Sequence, residues 1–83
     1  METYLIEVNL PAAAVSYHLS VPCNMQVGTM TQLVASVFER LSNGAYTATN
    51  QSRLCRQATG ESFDPNLKIR ETSIRNGTKL FLY

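Results

Sequence analysis

The hydrophobic period of this chain changes from two to 3.6 after Pro22, and that change limits what the chain can fold into. From Thr3 to Leu10, Tyr4, Ile6, Val8 and Leu10 fall on one face and Leu5, Glu7 and Asn9 on the other, the pattern of a half-buried strand. Pro11 ends the run, Ala12 and Ala13 form a short turn, and Val15, Tyr17, Leu19 and Val21 then alternate with Ser16, His18 and Ser20 up to Pro22. Two such runs joined by a short turn pair as a hairpin. Beyond Pro22, the residues Met30, Leu33, Val34, Val37, Phe38 and Leu41 recur at the spacing of one apolar helical face. Thr29 with Gln32 forms a capping-box pattern at the start, and Asn43-Gly44 after Ser42 supplies the left-handed stop. Thr31, Gln32, Ser36, Glu39 and Arg40 are expected to face water.

The second half is shorter in its elements. Ala45 to Ser52 is small, polar and without period, and is expected to be a loop. Arg53 to Gln57 reads as a short third strand with Leu54 inward and Cys55 outward. Thr59-Gly60-Glu61 suggests a tight turn, Ser62-Phe63 a minimal edge strand, and Asp64-Pro65-Asn66 a further turn. Leu67 and Ile69 are expected to anchor a short helical turn and Ile74 to plug the core. Asn76-Gly77 then leads into a last strand, Lys79 to Tyr83, with Leu80 and Leu82 inside.

Eighty-three residues give one domain, 1–83, near the lower size at which a single core suffices. No run approaches the roughly 18 uninterrupted apolar residues of a membrane span, so no membrane insertion is expected. The start, Met1-Glu2-Thr3-Tyr4, has an acid where a secretory leader has a basic region, which points to the cytoplasm. The net charge of +1 hides an imbalance, because Arg53, Arg56, Lys68, Arg70, Arg75 and Lys79 all lie between residues 51 and 83. They are interleaved with Glu61, Asp64 and Glu71 as on a solvated face, and no nucleic acid is expected as partner. Cys23 and Cys55 lack metal or redox spacing and are expected to be unpaired thiols. His18 is expected on the solvent side of its strand. No nucleophile, base, carboxylate pair or phosphate loop converges, and the four glycines each stand alone at a turn. The chain is therefore expected to be no enzyme and to need no cofactor and no metal.

Strand, strand, helix, strand, short strand, strand is the order of the ubiquitin-like β-grasp, an α+β fold with a mixed four- to five-stranded sheet packed on one helix. The resemblance covers nearly the whole chain. The ending Ile74-x-Asn76-Gly77-x-x-Leu80 is similar to that of the YukD-like (EsaB-like) bacterial ubiquitin-like proteins of type VII (WXG100 or ESX-like) secretion. Ubiquitin and the sulfur carriers act through a tail ending in Gly-Gly, whereas this sequence ends at Lys79-Leu80-Phe81-Leu82-Tyr83. The resemblance thus implies a non-conjugated cytosolic accessory factor whose protein partner is a component of the secretion system. The alternative is a modifier or sulfur carrier needing C-terminal activation, which the missing diglycine disfavours. A third class, an RNA-binding sheet face with Phe81 and Tyr83 as stacking platforms, would show affinity that collapses with salt.

In a β-grasp the last strand lies between the first and third. The fold therefore places outward-facing Phe81 and Tyr83 beside Leu5 on one side and Cys55 on the other, with Arg53 at the rim. Leu5, Arg53, Cys55, Phe81 and Tyr83 are the candidate protein-binding residues, since aromatics with an arginine resemble an interface core. The competing reading is that Phe81 and Tyr83 serve strand propensity and cross-strand pairing alone.

Overall fold

Alternation in the first two segments fixes their pairing, because a slip of one residue would turn every apolar side chain to water. In the computed structural model, which describes residues 2–83, β1 (Thr3–Leu10) and β2 (Val15–Pro22) form an antiparallel hairpin in unbroken register from Thr3 opposite Pro22 to Leu10 opposite Val15. The connecting turn is tightened by Ala14 at φ 53°, a left-handed position. Helix α1 (Val27–Leu41) follows, then β3 (Leu54–Arg56), a 3-10 turn (Ile69–Glu71) and β4 (Lys79–Leu82). The sheet order is β2-β1-β4-β3, with β1 and β4 parallel and the other pairs antiparallel. Ser62 adds only a single bridge to Cys55, so the minimal fifth strand reduces to one pair and the sheet has four strands.

The core lies between the helix and one face of the sheet. Ile6, Val8 and Leu10 of β1, Leu80 and Leu82 of β4, Leu54 of β3 and Met30, Val34 and Phe38 of α1 are all buried together. Phe38 meets Tyr17 edge to face at 5.2 Å between ring centres, a favoured aromatic geometry. Ile69 and Ile74 are fully buried as expected, whereas the Leu67 side chain is 37% exposed. The loop expected from Ala45 to Ser52 is present, yet Tyr46 inside it is buried against the core.

The helix departs from its sequence reading at its start and around its girth. It begins at Val27, two residues before the expected cap, and its N-cap Gln26 makes no side-chain bond. The first amides are instead satisfied by a neighbouring loop: Val27 N–H donates to Leu67 O at 2.9 Å and Gly28 N–H to Pro65 O at 3.0 Å. Gly28 permits this approach, since a Cβ there would lie 3.1 Å from Pro65 Cβ. Thr31, expected in water, is buried, and its hydroxyl donates back to Val27 O at 2.8 Å. Leu33 and Leu41, expected in the core, are about half exposed. The sheet covers the Val27, Met30, Thr31, Val34, Ala35 and Phe38 side, which is rotated from the apolar face read in sequence. The end is as expected, with Asn43 and Gly44 both at positive φ and Gly44 N–H donating to Glu39 O.

Candidate interaction surface

The outer sheet face presents the side chains that alternate with the core. Register places Ser16, Asn9, Phe81 and Cys55 in one row across the sheet and His18, Glu7 and Lys79 in the next. Asn9 Nδ2 donates to Ser16 Oγ at 2.7 Å, and His18 Nε2 lies 3.3 Å from Glu7 Oε1. The imidazole is well exposed, as expected from alternation, so this contact is open to water. Beyond the aromatic row, Tyr83 pairs with Arg53: each N–H donates to the other's carbonyl, at 3.0 and 3.1 Å. Tyr83 is thus held as a sheet residue. The Tyr46 hydroxyl reinforces it, 3.1 Å from Tyr83 O and 2.6 Å from Ser52 Oγ.

Of the five residues expected to form one patch, three come together. Phe81 and Tyr83 lie tilted at 52° with 5.9 Å between ring centres, with exposed Arg53 paired to Tyr83 through the backbone. Leu5 does not join them. It is exposed, but it lies level with Gly77, which donates to Leu5 O at 2.7 Å, while Phe81 is four residues farther along β4. At about 3.3 Å per strand residue that is a separation of roughly 13 Å, with the Glu7–Lys79 row between. The parallel register of β1 and β4 is the reason, because it aligns the start of β4 with the middle of β1.

Cys55 is the second correction. It does sit on the outer face, opposite Phe81, but it is buried at 5% exposure. The Glu61-Ser62 segment returns along β3, with Arg56 N–H donating to Glu61 O at 2.9 Å and Cys55 Sγ 3.5 Å from Ser62 Oγ. Flanked by Phe81 and Ser62, the thiol has no surface left for a partner. His18 lies across the sheet on β2, at the opposite edge from β3. The other thiol, Cys23, is also free and buried. It donates to Glu2 O at 3.0 Å, and burial, reinforced by the Glu2 carboxylate, pushes its pKa up.

Sequence reasoning missed Tyr46 and Asn76 as organising groups of this face. Asn76 Oδ1 accepts from Leu5 N–H at 2.8 Å, joining the turn before β4 to β1. Its Asn-Gly turn was a signal for the bend but not for this long-range bond. Among the described residues no cluster of three or more His, Cys, Asp or Glu is placed to hold a metal ion, and no helix is long and apolar enough to cross a membrane.

Neither a protein-family model nor a curated protein matches the sequence of this chain. Solved structures do match its architecture. The EccD5 ubiquitin-like domain from Mycobacterium xenopi superposes with a TM-score of 0.82 at 18% identity, over 100% of this chain and 94% of that one. A chain of the MycP5-free ESX-5 inner membrane complex gives 0.76 at 19% identity; it covers all of this chain, which spans only 21% of that one. Caldiarchaeum subterraneum ubiquitin gives 0.74 at 16% identity, over 98% and 91% of the two chains. At these identities the likeness is one of fold, and it agrees with the strand order and single packed helix: the chain is a ubiquitin-like β-grasp domain.

Proposed function

We propose that this chain is a non-enzymatic, non-conjugated protein-interaction module of a type VII secretion apparatus. It acts in the cytoplasm as an accessory factor of the YukD-like kind and contacts a partner protein through the Phe81, Tyr83 and Arg53 end of its outer sheet face. The supporting observation is the full-length likeness to the EccD5 ubiquitin-like domain, together with the same fold inside a chain of the ESX-5 inner membrane complex. The surface supplies suitable chemistry. A tilted aromatic pair beside an arginine is the residue mixture enriched where interfaces carry their binding energy. Leu5 and Cys55 have no part in this smaller patch.

The test is recovery of the inner-membrane secretion complex from the native host on a tagged full chain after cross-linking. Wild type is expected to retain it, and Arg53→Glu with Tyr83→Ser to lose it. A hot-spot loss of about 2 kcal/mol corresponds to a drop in affinity of roughly 30-fold. Equal recovery by the variant would refute the assigned face. Absence of every secretion-complex subunit from the wild-type sample would refute the assigned system.

A further inference from the structure

The acids and bases of this domain are used unequally. Glu39 accepts from Ala48 N–H at 2.7 Å, Glu71 from Lys68 N–H at 2.8 Å and Asp64 from Asn66 N–H at 2.9 Å, while Glu7 faces His18. Among the described residues no Lys or Arg lies in an ion pair with a carboxylate. The acids thus hold the backbone of the fold, and the bases are left over.

Part of this surplus meets at the end of the sheet where β4 starts. An open cleft of about 530 Å³ is lined there by Arg56, Gln57, Asn76, Thr78 and Lys79 among others, two cations with no acid. Arg56 is paired with Leu80, whose side chain is in the core, and Lys79 stands on the outer face beside Glu7, so the two cations bracket the cleft from opposite sides of the sheet. Arg56 is held in advance: its Nη2 donates to Ser73 O at 2.8 Å and to Ser73 Oγ at 2.6 Å, and the guanidinium lies over the Phe63 ring, 6.0 Å from its centre. Three of its five N–H groups are left without an acceptor among the described residues. The neutral groups mostly point the same way. Asn76 spends Oδ1 on Leu5 N–H, which leaves its Nδ2 donors free, and Thr78 spends its oxygen on Arg75 N–H at 2.8 Å, which leaves its O–H to donate. Gln57 alone is reversed, since its Nε2 donates to Leu80 O at 3.2 Å.

A cleft lined by one sign of charge focuses its field on whatever enters, and donors fixed beforehand cost little to order. We propose that this cleft binds an acidic, extended segment of a partner protein, with one carboxylate on the Arg56 side and another on the Lys79 side. A lone phosphate or carboxylate is too small to meet both cations, whereas carboxylates two residues apart on an extended chain stand about 7 Å apart. No aromatic side chain lines the cleft, so a nucleic acid would find nothing on which to stack a base. The cleft lies at the opposite end of β4 from Tyr83, and its test is independent of the secretion assignment.

The probe is the capped octapeptide GEDEEDEG, with the amide peptide GQNQQNQG as control, titrated into the isotope-labelled full chain at low salt and followed by NMR shifts. The acidic peptide is expected to bind at least tenfold tighter than the control, with shifts at Gln57, Ala58, Asn76, Gly77 and Lys79, and to weaken about fivefold or more as salt rises from about 20 to about 200 mM. Lys79→Gln and Arg56→Gln should each weaken it about three- to fivefold, the scale of one exposed charge pair, whereas Arg70→Gln, outside the cleft, should leave it unchanged. Lys79 is exposed and holds no ion pair, so its variant keeps the test decisive if Arg56→Gln, which gives up the Ser73 contact, weakens the fold. The proposal is overturned by equal binding of the two peptides, by no shifts at millimolar peptide, by shifts centred away from the cleft, by undiminished binding in Lys79→Gln, or by an equal loss in Arg70→Gln. Inorganic phosphate binding as tightly as the peptide would assign the cleft to a small anion, and a thymidine hexanucleotide binding more tightly would assign it to nucleic acid; either result also overturns it.

Discussion

Met30 and Leu33 lie three residues apart on the same sequence-defined apolar face, and truncation to alanine removes three heavy atoms from either. Sequence alone assigns them equal cost. The structure does not, since Met30 is 1% exposed between helix and sheet while Leu33 is 53% exposed where α1 overhangs β2. Met30→Ala leaves a cavity lined by core side chains, and such changes cost about 2–5 kcal/mol. Leu33→Ala gives up about half of the roughly 0.8 kcal/mol per buried methylene, leaves no cavity because water fills the gap, and regains a few tenths in helix propensity, for about 1 kcal/mol net. An 83-residue domain has roughly 4–12 kcal/mol in total, so both variants remain measurable unless stability lies at the bottom of that range. With a urea slope of about 1 kcal/mol per molar for so small a domain, the midpoint should fall by about 2–5 M for Met30→Ala and about 1 M for Leu33→Ala. Equal shifts would refute the packing described here. If the Leu33→Ala loss grew with protein concentration, another molecule would be covering Leu33.

Two further outcomes follow from the backbone and the buried thiol. Gly77→Ala meets no neighbouring atom, so its cost is purely that of φ +84°, about 1–2 kcal/mol, or a fall in melting temperature of roughly 4–16 °C; Gly77→Asn should lose less, and an alanine variant as stable as wild type would contradict the turn geometry. Because burial raises the Cys23 pKa, the folded state prefers the thiol: its contribution is fully present below the ordinary thiol pKa of about 8.5 and is lost as pH rises through the raised value. The stability gap between wild type and Cys23→Ala in urea melts should therefore narrow above that pH, and a gap independent of pH up to 11 would argue against a buried Cys23 thiol.

The hairpin, the helix and the order of elements were legible in sequence because each rests on local periodicity, which burial on one face imposes directly on the residues that form it. Tyr4, Ile6, Val8 and Leu10 state the inner face of β1 without reference to any other strand, and Asn43-Gly44 states the end of α1. What was lost depends on which distant segments meet. The start of α1 was misplaced because its first amides are satisfied by Pro65 and Leu67 rather than by a side chain of its own. Thr31 reads as a surface residue by polarity alone; its hydroxyl is silenced by the Val27 carbonyl one turn back, so the helix can turn that side to the sheet.

The candidate surface divides in the same way. Alternation alone determined that Leu5, Cys55, Phe81 and Tyr83 share the outer face, since side chains on a strand must point to opposite sides. Tertiary structure decided how far apart they stand: the parallel register of β1 and β4 sets Leu5 at the other end of the sheet, and the returning Ser62 seals Cys55. It also decided that half of the apolar helix face has no sheet beneath it and that β2 stands at the edge of the sheet, paired with β1 alone among the described residues. Periodicity tells a residue which way to face, and only the packing of the whole chain tells it what it will find there.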